Sequence, residues 1–241
     1  MTFKVSAVLQ GKGGVGKSLV AALLAEYYAS GVRGPTVNVD TDPVNATLSR
    51  YPQFNVRRLE LLRDGAIDSG MFDELITMIE REPANVVIDN GAATFVPFAK
   101  YMAESNPIEV IRRLGREVAI HTVLTGGYGM MDTFAGLEWL AENLPEHAEI
   151  YVWLNEYFGK VEAEGKTFEQ MKIYERYKDR ITAVLRIPAQ NPQTYGRDLQ
   201  KMLDQRLTFA EAKVSPAFSI MSRERIVLME RQLFGQIAEV L

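Results

Sequence analysis

The sequence predicts an α/β fold: one domain built on a doubly wound, mainly parallel sheet flanked by helices. Three observations carry this. A short apolar run, residues 3–9, leads straight into a glycine-rich loop and then into an alanine- and leucine-rich helical stretch. Along the rest of the chain, short apolar runs alternate with longer helical stretches, the pattern of βα units that cover both faces of a sheet. No internal repeat, low-complexity tract or proline/serine linker divides the 241 residues, so residues 1–241 read as a single domain.

Element by element, Phe3 to Leu9 is a buried strand ended by glycines. Ser18 to Ala29 is a helix with Gly31 as its stop. Further strands are expected at 36–40, 85–89, 117–125, 149–154 and 181–187, each short and rich in apolar residues. Helical stretches fall near 59–81, 98–114, 131–143, 167–179 and 192–206, with a final helix from about Pro216 to Leu241.

Composition narrows the function. Hydrophobic residues make up 47% and charged residues 24%, enough for a substantial core. A net charge of −4 argues against a uniformly basic nucleic-acid protein and leaves room only for a local basic patch. Without cysteine there are no disulfides, thiolate metal sites, iron–sulfur ligands or cysteine nucleophiles, which fits a reducing, cytoplasmic setting. The opening MTFKVSAVL is too short for a signal peptide, and no apolar run is long enough to span a bilayer.

The loop GKGGVGKS, residues 11–18, carries the chemistry. Gly13, Gly14 and Gly16 permit tight turns and let backbone N–H groups approach phosphate oxygens. The helix that follows adds unpaired N–H groups and the positive end of its dipole. In such a P-loop Lys17 reaches the β- and γ-phosphates and the Ser18 hydroxyl binds Mg²⁺, with Val15 and Leu19 completing the nucleotide-binding set. Lys12, near the start of the loop, is a second lysine that a phosphate cradle does not require.

KGGVGKS resembles the deviant Walker A box of the ParA/MinD family of P-loop ATPases. The resemblance implies ATP and Mg²⁺ as ligands and an ATP-dependent homodimer in which Lys12 touches the partner's phosphates. A second cation there would neutralise charge developing between the phosphates, as an arginine finger does. The competing reading of Lys12 is a solvated loop charge. VNVDTDPVNATLS, residues 37–49, resembles the family's DxDPQGNAT segment. By that resemblance Asp42 positions or activates the attacking water and Asp40 supports the Mg²⁺ shell; a turn closed by Asp42 and Pro43 is the alternative. NVVIDNG, residues 85–91, has the form of a Walker B strand whose Asp89 would hold a Mg²⁺-bound water, or else would cap the next segment. The family's proline after this acid is replaced by Asn90-Gly91-Ala92. DNGAATFVPFAKYM and IHTVLTGGYGMMDTFAGL look like the plasmid conjugation and stability branch, the TraL/StbB-type ATPases.

Weaker features remain open. Asn155, at the end of IYVWLN, stands where related ATPases carry an adenine-reading asparagine, and a turn asparagine reads equally well. Pro188 in RIPAQNP either packs around the adenine or ends its strand. TGGYGMMD reads as a turn with Asp132 near a helix cap, or as a partner's point of approach. Neither His121 nor His147 belongs to a catalytic or zinc cluster. The last helix either packs Ile226, Leu233, Ile237 and Val240 on the sheet or lies on a membrane. Arg57, Arg58, Arg63, Arg112, Arg113 and Arg116 form DNA-contact patches or solvated faces. The implied function is a slowly hydrolysing ATP switch that positions or stabilises plasmid DNA or supports conjugative transfer. It would work with a plasmid-encoded partner, DNA being contacted directly or through a DNA-binding adaptor. A P-loop kinase or ligase acting on a small metabolite is the alternative.

Overall fold

The structure is a computed structural model and describes residues 2–32 and 34–241. Among these residues, seven strands form one sheet: β1 (Lys4–Val8), β2 (Thr36–Asp40), β3 (Arg57–Arg58), β4 (Asn85–Asp89), β5 (Glu117–Thr125), β6 (Glu149–Asn155) and β7 (Ile181–Ile187). Their order is β7-β6-β5-β1-β4-β2-β3, and every pairing is parallel. The strands β1 and β4 are buried along their whole length, as strands of a parallel sheet covered on both faces are.

Helices cover both faces. On one side α1 (Lys17–Tyr27), α7 (Tyr195–Asp204), α8 (Phe209–Val214) and α9 (Ile220–Val240) pack with Val8, Val87, Val123 and Trp153. On the other, α2 (Phe72–Arg81), α3 (Phe95–Ser105), α4 (Pro107–Arg113), α5 (Met130–Asn143) and α6 (Lys172–Tyr177) pack with Val5, Ala7, Ile88 and Ile120. Because the sheet is parallel, the loops after β1, β2, β4, β5, β6 and β7 all leave at one edge, where ligands bind in doubly wound folds.

The differences from the sequence reading have local causes. Residues 59–81 are α-helical only from Phe72, after a short 3-10 turn at Ser69–Met71, because Asp64 (φ 52°) and Gly65 (φ 79°) turn a small hairpin between Leu62–Arg63 and Ala66–Ile67. The stretch 98–114 is two helices, broken where Asn106 takes φ 49° ahead of Pro107 at the start of α4. The last helix begins at Ile220, with the Ser219 side chain accepting from the Ser222 N–H. A separate α8 precedes it, started by a capping box of Thr208 and Glu211.

Several candidate surface features turn out to be structural. Ile226, Leu233 and Ile237 are buried, so the apolar stripe of α9 is packed against the sheet and is not left for a membrane. Among the described residues no helix is long and apolar enough to cross a membrane. Arg116 is buried, with Nη1 donating to the Ala84 carbonyl at 2.8 Å. Arg57, Arg58, Arg63 and Arg112 are exposed, and each is paired with a carboxylate. His121 is fully buried and accepts from Trp153 Nε1 at 3.1 Å; burial pushes its pKa down to about 3, which leaves it neutral.

Candidate functional site

The loop between β1 and α1 is held from below by a residue the sequence reading passed over. Gln10 is fully buried, and its Nε2 donates to the Val123 and Thr133 carbonyls at 3.2 and 3.0 Å, while its Oε1 accepts from the Gly11 N–H. Its long-range partners leave no local sequence signal. Above it Gly14 (φ 75°) and Gly16 (φ 102°) adopt the left-handed conformations that only glycine takes without strain. Gly13 and Gly14 are exposed, Val15 is buried, and no side chain caps the N-terminus of α1. That terminus therefore offers its N–H groups to an anion. Lys17 is buried with Nζ on the Lys12 carbonyl at 2.8 Å. Burial lowers its pKa from the usual lysine value, opposed by the charges of Asp89 and Asp42.

The three acids behave differently. Asp40 is buried and saturated: Oδ1 accepts from the Asp42 N–H, and Oδ2 accepts from the Ser49 N–H and hydroxyl at 3.0 and 3.1 Å. It is the anchor of loop 41–49, a use the reading of Asp40 as support for a Mg²⁺ shell did not foresee. Asp42 Oδ1 accepts from the N–H groups of Val44 and Asn45, so the turn that competed with a catalytic reading is present. Asp42 also lies against Gly91, where an added Cβ would stand 2.7 Å from its Cγ. Asn90 braces this contact, its Oδ1 accepting from the hydroxyls of Thr41 and Thr94 at 2.9 and 2.8 Å. Gly91 thus admits the Asp42 side chain where any Cβ would clash with it.

Asp89 is the exception. It is 1% exposed, and neither of its carboxylate oxygens has a hydrogen-bond partner among the described residues. Burial pushes its pKa up to about 7, and Asp40 adds to the rise, while the nearby Ser18 hydroxyl and Lys17 ammonium oppose it. An unsatisfied buried carboxylate beside a half-buried serine and a lysine suits a hard cation that accepts oxygen ligands. The described residues contain no cluster of three or more His, Cys, Asp or Glu side chains that would hold a metal without help from a ligand.

Lys12 points away from this cradle. Its Nζ pairs with Asp132 Oδ2 at 2.7 Å and lies 5.8 Å from the centre of the Tyr128 ring, both after β5. Asp132 is in the first turn of α5 and pairs with Lys12, while no side chain caps that helix. A cavity of about 930 Å³ opens beside the loop, lined by Gly16, Leu19, Asn155, Tyr157, Phe158 and Pro188 among others. Its size and apolar walls suit a nucleobase and ribose. Asn155 lines it with its amide engaged on the protein's own backbone, as an Asx-type turn would have it.

No protein-family model matches the chain. Two curated relatives from Escherichia coli, each called Protein TraL, are 45% and 44% identical over 234 residues, which is 97% of this chain and 97% of each relative. The chain belongs to the TraL family. The solved structures that resemble this TraL-family chain include the MinD cell division protein of Aquifex aeolicus, with TM-score 0.53 and 14% identity over 96% of this chain and 97% of that one. A ParA family ATPase from Chlorobium tepidum TLS gives TM-score 0.54 and 15% identity over 95% and 98%. At these identities the likeness establishes the fold, and the TraL-family chain has the P-loop NTPase fold of MinD and ParA.

Proposed function

We propose that this chain binds ATP with Mg²⁺ at residues 11–18 and hydrolyses it slowly, as a switch whose ATP-bound form is a homodimer. The observation that carries the reading is the division between its two loop lysines. Lys17 is buried over the loop, with Nζ on the Lys12 carbonyl, whereas the Lys12 ammonium is held by Asp132 outside the loop. A rim lysine is placed to meet a second copy, while Lys17 and the N-terminus of α1 bind the chain's own phosphates. A Mg²⁺ ion held here would supply positive charge against the negative charge that develops on the phosphates. Ser18 and Asp89 would hold it, and Asp40 would fix the loop that presents Asp42. Asp42, released from its turn, would orient the attacking water. The TraL kinship and the plasmid-branch sequence resemblance support a role in plasmid transfer or stability through a plasmid-encoded partner, with any DNA contact direct or made by an adaptor.

Isothermal titration with ATP·Mg²⁺ tests the site. Lys17→Ala should weaken binding by one to two orders of magnitude, since a charge-assisted contact is worth roughly 1.5–3 kcal/mol. Unchanged affinity in a folded variant would reject the P-loop reading. Lys12→Ala should bind ATP like the parent yet fail to dimerise with it in sedimentation velocity; parent-like dimerisation would return Lys12 to a surface charge.

A further inference from the structure

We propose that Gln10 is a positioning residue that ties the start of α5 to the phosphate loop, so that a displacement of either is felt by the other. The ligand of that loop is taken from the nucleotide reading above, on which this step rests.

Gln10 lies between β1 and the loop and is fully buried. Its Oε1 accepts from the Gly11 N–H at 2.9 Å, so one end of the amide rests on the backbone that opens the loop. Its Nε2 donates to the Thr133 carbonyl in α5 at 3.0 Å, across 123 residues of sequence. The same nitrogen lies 3.2 Å from the Val123 carbonyl and 3.3 Å from the Thr122 hydroxyl, both in β5. The helix is shaped to receive this amide. Gly136 is buried in the middle of α5, where glycine is the poorest helix former after proline. A Cβ there would run into Gln10 Oε1 and stand 2.8 Å from both its Cδ and its Nε2. A glycine is needed at this helical position because the Gln10 amide fills the space of its side chain.

Two links therefore join the loop to α5. On the surface, Lys12 Nζ meets Asp132 Oδ2 at 2.7 Å, an exposed ion pair that salt screens and that the lysine can leave. Beneath it lies the Gln10 amide, which joins the backbone just before Lys12 to the backbone just after Asp132. Breaking this buried link strands an amide donor away from water, which costs more than parting an exposed ion pair. The buried link is the one that persists when Lys12 changes partners. Close packing of Gln10 on Gly136 leaves no slack. Motion at the start of α5, beside the exposed Tyr128 and Met131, is passed to Gly11 and to the loop beyond it.

Hydrogen exchange of the ligand-free protein and calorimetric titration with ATP·Mg²⁺ test the link. The variants are Gly136→Ala, Gln10→Ala and the two combined, with Gln10→Ser in place of Gln10→Ala should the latter fold poorly. Gly136→Ala alters no residue of 11–18. It should nevertheless speed amide exchange there and weaken ATP binding, each on the order of tenfold for one displaced buried hydrogen bond. Gln10→Ala should do the same. In the Gln10→Ala background Gly136→Ala should change neither quantity, because the added methyl then has room. Exchange in α9, on the opposite face of the sheet, should stay at the parent's rate. A Gly136→Ala protein whose residues 11–18 exchange at the parent's rate, or whose ATP affinity equals the parent's, overturns the proposal. So does equal acceleration throughout the chain, which is a general loss of stability, and so does a Gly136→Ala effect as large without Gln10 as with it. A parent that binds no ATP removes the nucleotide reading, while the ligand-free exchange still decides whether Gln10 makes the link.

Discussion

A buried carboxylate without a hydrogen-bond partner holds its proton more tightly than the same group in an unfolded chain, and Asp89 is in that position. Burial raises it from the ordinary 3.8 to about 7. Between about pH 4 and pH 7 the native chain keeps a proton that the unfolded chain has released, so native protons exceed unfolded ones and stability falls as pH rises. The contribution is fully present below about pH 4 and is lost as pH passes about 7. Its size is roughly 4 kcal/mol at an order-of-magnitude level. Asp89→Asn should remove this slope, so that the variant overtakes the parent in stability toward neutral pH. Urea denaturation of the metal-free proteins in steps of pH measures it, and parallel curves for the two proteins would count against the assignment. Added Mg²⁺ should stabilise the parent near neutrality and leave the variant nearly unaffected, because the carboxylate that would receive the cation is gone.

At the level of elements, two loops that the sequence treats as separate turns are packed backbone to backbone. A Cβ at Gly126 would stand 2.2 Å from the Lys160 carbonyl oxygen and 2.5 Å from that of Gly159. Backbone atoms cannot give way as a flexible side chain can, so Gly126→Ala must separate the loop after β5 from the loop after β6. Such overpacking costs about 1–3 kcal/mol. A melting temperature lowered by several degrees is the expected outcome, with weaker nucleotide binding because Tyr157 and Phe158 shift; a melting curve equal to the parent's would show that the seam is loose. TGGYG announces a turn but not what the turn meets. The legibility of the rest divides in the same way. The strands β4, β5 and β7 were readable to the residue because their apolar runs are bounded by clear breaks. The two-residue β3 was not, since Arg57 and Arg58 are exposed and join the sheet only by pairing with β2. In residues 59–81 the local turn made by Asp64 and Gly65 outweighed a helical composition. The P-loop was legible because its chemistry is consecutive in sequence. The uses of Gln10 and Asp40 and the hold of Asn155 on Val15 were not, because each is fixed by contacts made only in the folded chain, whereas the turn started by Asn155 was one of its two readings.

For the whole molecule, the parallel sheet puts the P-loop, both acidic loops and the two aromatic loops at one edge, so any event at the phosphates is close to the surface a second copy would meet. In the proposed dimer Lys12 would belong to that surface, and within one chain it is held by Asp132, 120 residues away. A lysine that contacts a partner's phosphates must leave this carboxylate, so in the proposed dimer Asp132 would compete with its formation. Ion pairs this exposed are weak and screened by salt, which limits the competition to a few-fold per subunit. Asp132→Asn keeps the shape of the helix start and removes the competing charge. In sedimentation velocity with ATP·Mg²⁺ the variant should dimerise at a protein concentration a few-fold below the parent's, with ATP affinity of the monomer unchanged because Lys17 and the loop backbone are untouched. The difference should shrink as salt is raised, since screening weakens the parent's ion pair and the variant has none. Without nucleotide both proteins should sediment alike, because freeing Lys12 supplies no phosphate for it to meet. Equal or weaker dimerisation of Asp132→Asn with ATP would show that the ion pair does not restrain Lys12, and that the lysine either changes partners without cost or takes no part in the contact between copies.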